Sequence, residues 1–325
     1  MTTLRRLLPA LAAMTLAACA SVSPVPTIQS PASGWIPAEA GVRSVGLGLP
    51  GGARLAEGVT FAGGIELVLA DDSPLHSLSD FKIISGPEFV SVSDAGDLVR
   101  GVLVRDEAGR LTGVAELMYR RLTLADGSPI VDKVDGDAEG LLITRDGDLL
   151  VSFERRHRIW NYGDVREPSA RPTVARHPDF DFPLNDGMEG ISTGIRDGWR
   201  VSAENGGVWD CTPRACTVVT PAPDTPATDG EYRTTGMDRD EAHGGYFIVQ
   251  RSFAPPLDAR AQVRRMAADG SLGPVLVELK LPGTTDNFEG IAAVRNGATT
   301  RLYILSDDNN NAPQRTLLLA FDVAN

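Results

Sequence analysis

Three glutamates recur in the chain, each followed by glycine and then by an apolar residue. They are Glu139, Glu189 and Glu289, the second 50 residues after the first and the third 100 residues after the second. Carboxylates that a fold brings together can hold Ca²⁺, which accepts about six to eight oxygen ligands in loose geometry. The alternative is structural: each glutamate caps the amides of a turn, and each glycine serves the backbone conformation. Both interpretations stay open at this point.

Other polar residues extend the candidate site. We predict that Ca²⁺ is held by the repeated glutamates and by the acidic loop near the C-terminus, namely by Glu139, Glu189, Glu289, Asp307, Asp308 and Asn309. The same three glutamates, together with His157, are the candidate catalytic residues, because a carboxylate or an imidazole can act as a general acid or base. For the loop, the alternative is a solvated rim, and for His157 it is an exposed basic turn.

Three arginines stand beside the acidic positions of the repeat. They are Arg155, Arg251 and Arg315, and they are the candidate substrate-binding residues, since a guanidinium binds phosphate through paired hydrogen bonds. The chain has only three lysines, so a general preference for arginine accounts for part of this pattern.

The elements that must position these residues are short β-strands. Apolar runs alternate with turn dipeptides such as Asp146-Gly147 and Asp269-Gly270, which supply the positive φ angles of tight hairpins. A period of about 50 residues predicts an all-β propeller. A second set of apolar runs ends in a polar residue in each unit, at Asp94, Glu154, Glu204, Gln250 and Asp307. We expect six blades, with five or seven open, and closure by pairing of the N- and C-terminal strands.

Several stretches resemble the bacterial phytase-like family, whose name is "esterase-like activity of phytase". They include Phe61-Ala-Gly-Gly-Ile-Glu-Leu67, Gln250-Arg-Ser-Phe253 and the closing run Leu302-Tyr-Ile-Leu-Ser-Asp-Asp-Asn-Asn-Asn311, and the resemblance spans residues 45–323. It implies a hydrolase of phosphoesters or related esters. By fold-level analogy, propellers of the gluconolactonase and paraoxonase type hold a catalytic Ca²⁺ on their axis. The alternatives are a non-catalytic binding propeller and a lactonase-type hydrolase.

The N-terminus reads as a targeting segment. Arg5 and Arg6 precede the apolar stretch 7–18, and Leu16-Ala-Ala-Cys19 is similar to a bacterial lipobox, with an ordinary secretory signal as the alternative. We therefore expect a signal peptide over 1–18, lipid on Cys19, a tether over 19–43 and the propeller over 44–325. The expected location is the periplasmic face of the cell envelope, with the outer membrane favoured over the inner.

Charge and cysteine content narrow the remaining choices. The net charge is −12, and removing Arg5 and Arg6 leaves 29 basic against 43 acidic residues, which argues against nucleic acid as a partner. A small-molecule ester is the expected partner, the membrane is reached only through the lipid, and the protein is expected to be a monomer. Cys211 and Cys216 are expected to form a disulfide in an oxidising compartment, and half of a zinc site is the alternative.

Overall fold

The computed structural model describes residues 34–325, and the predicted signal peptide and Cys19 lie outside them. The described chain forms 23 strands and one short helix. The first four strands are β1 (Ile36–Pro37), β2 (Gly41–Ser44), β3 (Ala53–Leu55) and β4 (Val59–Val68). β1 and β2 lie inside the predicted tether but pair with strands of the domain, because apolar residues such as Trp35 and Ile36 pack on its surface.

Five antiparallel blades follow, each with four main strands. Blade 1 contains β5 (Leu78–Ser85), β6 (Glu88–Ser93), β7 (Asp97–Arg105) and β8 (Leu111–Arg121). The helix α1 (Lys133–Gly136) leads to blade 2, with β9 (Ala138–Ile143), β10 (Asp148–Phe153), β11 (Arg158–Asp164) and β12 (Thr173–Ala175). Blade 3 contains β13 (Gly190–Thr193), β14 (Trp199–Ser202), β15 (Val208–Cys211) and β16 (Cys216–Thr220).

Blades 4 and 5 also recruit strands from the N-terminal segment. Blade 4 contains β17 (Arg233–Arg239), β18 (Tyr246–Ala254), β19 (Asp258–Met266) and β20 (Leu272–Lys280), with β3 added at its outer edge. Blade 5 contains β21 (Asn287–Asn296), β22 (Thr299–Asp307) and β23 (Thr316–Ala324), and β4 is its fourth strand. The antiparallel pairing of β4 with β23 joins the two ends of the chain, so the predicted closure is confirmed.

The five first strands close a ring around one axis. Contacts run from β5 to β9, β13, β17 and β21, and from β21 back to β5. The protein is therefore a β-propeller, as predicted, but it has five blades where the sequence favoured six. The difference arises because the early segment that holds β4 does not open a separate blade. It completes the blade that begins at β21.

Each boundary between neighbouring blades has its own apolar cluster. Between blades 2 and 3, for example, Leu150 and Ile159 pack with Val201 and Trp209. Four comparable clusters fill the other boundaries. Burial of apolar surface between blades, at roughly 25 cal/mol per Å², is what holds the separate sheets together.

Glycine lets the first strands approach one another at the axis. A Cβ at Gly140 would lie 2.4 Å from the carbonyl oxygen of Glu189, and one at Gly236 would lie 2.1 Å from that of Glu289. Neither glycine has a positive φ angle, so the requirement is close approach and not backbone conformation. Packing against the next blade thus explains the glycine after Glu139 and the one after Thr235.

Blade 1 carries Asp80 at the position of this glycine. The Asp80 carboxylate accepts hydrogen bonds from the backbone N–H groups of Leu141 and Phe81, at 2.9 and 2.7 Å, and Lys82 Nζ lies 2.7 Å from both of its oxygens. Lys82 also donates to the carbonyl oxygen of Ile291 at 2.9 Å. Burial raises the pKa of Asp80 to about 6, although Lys82 opposes this. A buried ion pair thus ties together three blades.

A second, half-buried carboxylate completes this group at the axis. Asp238 Oδ2 accepts a hydrogen bond from Ala293 N at 2.8 Å, and its Oδ1 accepts one from Ser192 Oγ at 3.2 Å. Asp80 and Lys82 belong to blade 1 and Asp238 belongs to blade 4, and we call these three residues the axial plug. Together they contact the first strands of blades 2, 3 and 5.

We expect Gly236→Ala to destabilise the protein, because the added methyl group would meet the backbone of blade 5. Overpacking of a core typically costs about 1–3 kcal/mol, and here a rigid carbonyl stands in the way. The matched control is Gly113→Ala, a buried strand glycine whose nearest neighbour would lie 3.6 Å from the new Cβ. Thermal melts of the two variants should separate clearly, and equal melting temperatures would contradict the packing argument.

Candidate active site

A β-bulge sets the direction of the repeated glutamates. The pairing of β9 with β10 skips Glu139, the pairing of β21 with β22 skips Glu289, and Glu189 stands directly before β13. A bulge leaves its extra residue unpaired and re-aims the side chain. The same skip occurs at Ser79 and Thr235, in the two blades without the glutamate. The backbone geometry is therefore repeated, and only the side chain changes.

The three repeated glutamates converge at one mouth of the ring. Burial raises the pKa of Glu139 and of Glu189 well above the usual range, and nearby carboxylates raise both further, Glu289 among them. Burial also raises the pKa of Glu289 to about 7, although Arg251 opposes this shift. Carboxylates perturb one another in this way only when they are close together.

A second set of acids joins them from the ends of the second strands. Burial, followed by the charges of Asp137 and Glu204, raises the pKa of Glu154 to about 8. Burial raises the pKa of Asp307 well above its usual range, and Glu289 raises it further. We call the whole set the carboxylate ring: Asp94, Asp137, Glu139, Glu154, Glu189, Glu204, Glu289 and Asp307.

Sequence reasoning missed four members of this ring. Asp94, Asp137, Glu154 and Glu204 were not among the predicted site residues. The signal was nevertheless present, because Glu154 and Glu204 each follow a repeated glutamate by 15 residues. The end of a blade's second strand lies beside the start of its first, so two acids per blade were to be expected at the mouth.

Lys133 and Arg155 neutralise part of the ring. Lys133 Nζ lies 2.7 Å from Asp137 Oδ1 and also contacts Asp94, and Arg155 is paired with the other oxygen of Asp137. Burial lowers the pKa of Lys133, but Asp94 and Asp137 outweigh this and leave it raised. Lys133 is the first residue of α1, so the short helix places this cation beside the carboxylate ring.

Arg251 and Arg233 neutralise another part, from blade 4. Arg251 Nη2 lies 3.1 Å from Glu204 Oε1, and its Nε lies 3.4 Å from Glu289 Oε1. Arg233 Nη1 lies 3.6 Å from Glu204 Oε2. Four cations therefore face eight carboxylates. If every group were ionised, an excess of four negative charges would remain at the mouth.

The donor set fits a hard divalent cation. Oxygen atoms of Asp137, Glu139 and Glu154 all lie within 4.8 Å of one another, which is compact enough for one ion. The acids of the ring offer carboxylate oxygens, the ligands that Ca²⁺ and Mg²⁺ prefer. In the absence of a cation, retained protons relieve the repulsion, as the raised pKa values indicate.

Two predicted ligands stand apart from the ring. Asp308 Oδ2 lies 2.7 Å from His76 Nδ1 and accepts a hydrogen bond from Thr316 Oγ1 at 2.8 Å, while its Oδ1 accepts one from Ser77 N. Burial raises the pKa of Asp308, but these hydrogen bonds outweigh it and leave the pKa lowered. Asn309 is exposed, and only its backbone N–H contacts Asp307. Asp308 instead holds together the loop and the start of blade 1.

His157 also lies outside the ring. Its Nε2 is 2.9 Å from the carbonyl oxygen of Pro183, and its ring packs against Phe182 with 5.3 Å between centroids. Burial lowers the pKa of His157 and thus favours the neutral imidazole. These contacts hold the loop before blade 3. The Nδ1 atom is buried without a hydrogen-bond partner among the described residues, and a catalytic role for His157 stays a prediction.

The three predicted substrate-binding arginines divide in the same way. Arg155 and Arg251 lie at the mouth, as described above. Arg315 Nε lies 3.1 Å from Asp286 Oδ2, and its Nη2 donates to the carbonyl oxygen of Thr285 at 3.0 Å. Arg315 therefore holds the segment that leads into β21 and does not face the acids of the mouth.

Cys211 and Cys216 are joined by a disulfide in the structure. They face each other across the hairpin of β15 and β16, at the outer edge of blade 3. This position is distant in the fold from the mouth. In residues 34–325 no helix combines the length and the apolar character that crossing a membrane requires.

Comparison with known proteins supports the family expected from the sequence. The family described as "esterase-like activity of phytase" matches residues 73–310. The chain belongs to this phytase-like family. The match includes the first strands of all five blades and every member of the carboxylate ring, so the ring of this phytase-like chain lies wholly within the family domain. No curated protein matches the chain.

Solved structures align with most of the chain at low identity. The PQQ-bound aldose sugar dehydrogenase of Streptomyces coelicolor aligns with a TM-score of 0.46 and 13% identity, over 88% of this chain and 99% of that chain. The allergen Mala s 1 of Malassezia sympodialis aligns with a TM-score of 0.42 and 11% identity, over 82% of this chain and 90% of that chain. We base the fold on strand order and take no chemistry from these likenesses.

We expect the cation-free protein to lose stability as the pH rises from 5 to 8. Glu289 and Glu154 keep their protons up to about pH 7 and about pH 8 in the folded state, whereas an ordinary glutamate releases its proton near 4.5. The folded state then binds more protons, so the stabilisation is complete below pH 4.5 and is lost as the pH passes the folded pKa values. A tenfold difference in proton affinity between the folded and unfolded states corresponds to about 1.4 kcal/mol.

Melting temperatures measured in a chelator at pH 5 and pH 8 test this expectation. Glu154→Gln should reduce the difference between the two temperatures. The exposed Glu107→Gln is the matched control and should leave the difference unchanged. A wild-type protein that melts at the same temperature at both pH values would contradict the expected protonation of the ring.

Proposed function

We propose that this protein is a metal-dependent hydrolase of phosphoesters or related esters, with Ca²⁺ held by the carboxylate ring. The observation that carries the proposal is the excess of buried carboxylates at one mouth of a phytase-like propeller. Asp137, Glu139 and Glu154 would hold the ion, since their oxygen atoms are the most tightly grouped.

The chain's own residues would divide the chemical work. A bound Ca²⁺ supplies a Lewis acid that polarises the ester and activates water. Burial and the neighbouring carboxylates raise the pKa of Glu189 well above its usual range, so it can carry a proton and would serve as the general acid or base. Lys133 and Arg155 would hold Asp137 in place. The axial plug would support the floor of the mouth.

The location follows from the proposed processing of the N-terminus. We propose that Cys19 carries lipid and anchors a monomeric propeller to the envelope, at its periplasmic face and more favourably at the outer membrane. The positive and apolar stretch before Cys19 and the Ser- and Pro-rich segment after it support this proposal.

Calorimetric titration of the signal-free chain with Ca²⁺ is the first test. Glu139→Gln should weaken Ca²⁺ binding at least about tenfold, which corresponds to about 1.4 kcal/mol, because it removes a central ligand charge. Hydrolysis of p-nitrophenyl phosphate and p-nitrophenyl acetate should depend on Ca²⁺ and should be lost when Glu139, Glu189 and Glu289 are all replaced by glutamine. Glu107→Gln is again the matched control.

The competing function is a non-catalytic binding propeller. The placement of His157 favours it, because the imidazole is held by Pro183 and the described residues of the mouth show no other candidate nucleophile or imidazole base. Tight Ca²⁺ binding without turnover of phosphate esters, carboxylic esters or lactones would support this alternative. Turnover of lactones alone would indicate the lactonase-type hydrolase. No Ca²⁺ binding, with full activity in the triple variant, would overturn the metal mechanism.

A further inference from the structure

Two arginines of blade 4 form an unusual pair. Arg233 and Arg251 are directly opposite one another across β17 and β18. Like charges in this arrangement destabilise a sheet unless an anion lies between them. Here a single carboxylate serves both, because one oxygen of Glu204 lies 3.1 Å from Arg251 and the other lies 3.6 Å from Arg233. The pair is therefore a built anion-binding arrangement, filled by a side chain from blade 3.

The surroundings of this pair differ from the rest of the mouth. Blade 4 has Thr235 where three other blades have glutamate. The pairing of β17 with β18 also places Arg251 at the position that an acid occupies in the other four blades, namely Asp94, Glu154, Glu204 and Asp307. Gln250 donates to Thr234 Oγ1 at 3.1 Å and accepts a hydrogen bond from Gln262 at 2.8 Å. Gln250 lies on the face of β18 opposite to Arg251. Blade 4 thus forms a positive sector, in which the two arginines face the carboxylates of its neighbours.

Exposed apolar side chains of the hairpin between β18 and β19 lie beside the same sector. The pairing of β18 with β19 continues past Gln250 as far as Ala254 and Asp258, so this hairpin extends beyond the mouth. Phe253 follows Arg251 by two residues and therefore lies on the same face of the strand. Phe253 is 51% exposed, and Leu257 at the tip is 72% exposed. An apolar group above the arginines would lie against these side chains.

We infer that Arg233 and Arg251 bind the anionic group of a phosphate monoester, and that Phe253 contacts its apolar part. The inference rests on the proposed function, because Ca²⁺ bound by Asp137, Glu139 and Glu154 would attract the neighbouring Glu204, weaken its pairing with the arginines and leave them to the ligand. A phosphate dianion can accept paired hydrogen bonds from both guanidinium groups. The preferred substrate is thus a phosphate monoester with an aromatic or alkyl group.

This arrangement couples the two ligands. Since Glu204 competes with the anion for the same arginines, Ca²⁺ should strengthen anion binding, and the anion should strengthen Ca²⁺ binding by the same factor. A site in which the cation and the anion bind independently would show no such factor.

Phenylphosphonate, which is not hydrolysed, is the probe for the test. Calorimetry with the signal-free chain should show at least about tenfold tighter binding in saturating Ca²⁺ than in chelator. Arg251→Gln and Arg233→Gln should remove most of this binding while Ca²⁺ still binds. Arg54→Gln is the matched control, since Arg54 pairs with Glu278 at the exposed edge of the same blade. Phe253→Ala should abolish the preference for phenylphosphonate over methylphosphonate.

The outcomes separate this inference from the proposed function. Ca²⁺ binding with unchanged phenylphosphonate affinity in Arg251→Gln, or with equal affinity in Ca²⁺ and in chelator, would overturn the inference and leave the metal site standing. No Ca²⁺ binding to the wild-type protein would overturn both. Arg251→Lys keeps the charge near Glu204 and Glu289, so it tests the pair if the glutamine variant fails to fold; unchanged phenylphosphonate affinity in a folded lysine variant would also overturn the inference.

Discussion

The close approach of five strands at the axis is the constraint on which the rest of the structure depends. Gly140 and Gly236 show its severity, because a single added carbon would meet the backbone of the next blade. Among the five first strands, only that of blade 1 has a side chain at the glycine position. It is that of Asp80, which is held by amide groups and by Lys82. The residue before the glycine is left unpaired by the bulge, which turns its side chain toward the mouth.

Crowding of acids at the mouth follows from this geometry. A ring narrow enough to exclude a methyl group also brings the preceding glutamates within range of one another. Repulsion in such a site is relieved by protons, by arginine and lysine, or by a metal ion. The described residues supply four cations for eight carboxylates, so protons or a metal must supply the rest. Blade 4 carries Arg251 where the other blades carry an acid, with Arg233 opposite it, so one side of the mouth is negatively charged and the other side is positively charged.

Much of the fold and part of the site could be predicted from the sequence, and particular residues show why the rest could not. The period, the chain closure and the convergence of Glu139, Glu189 and Glu289 follow from spacing alone. The blade number depended on where β4 finds its partner, and β23 lies some 250 residues away from it in the chain. The contacts of His157 and Asp308 could not be predicted, because their partners, Pro183 and His76, are not apparent from local sequence.

The axial plug has a consequence for how ligands enter and leave the propeller. Asp80, Lys82 and Asp238 occupy the centre of the ring beneath the carboxylates and are tied to strands on every side. If these three side chains close the centre of the ring, a ligand at the mouth would enter and leave by the same opening. In such a blind cup, a released product stays in competition with the next substrate for the same charged walls. The turnover rate would then depend on product release as much as on bond cleavage.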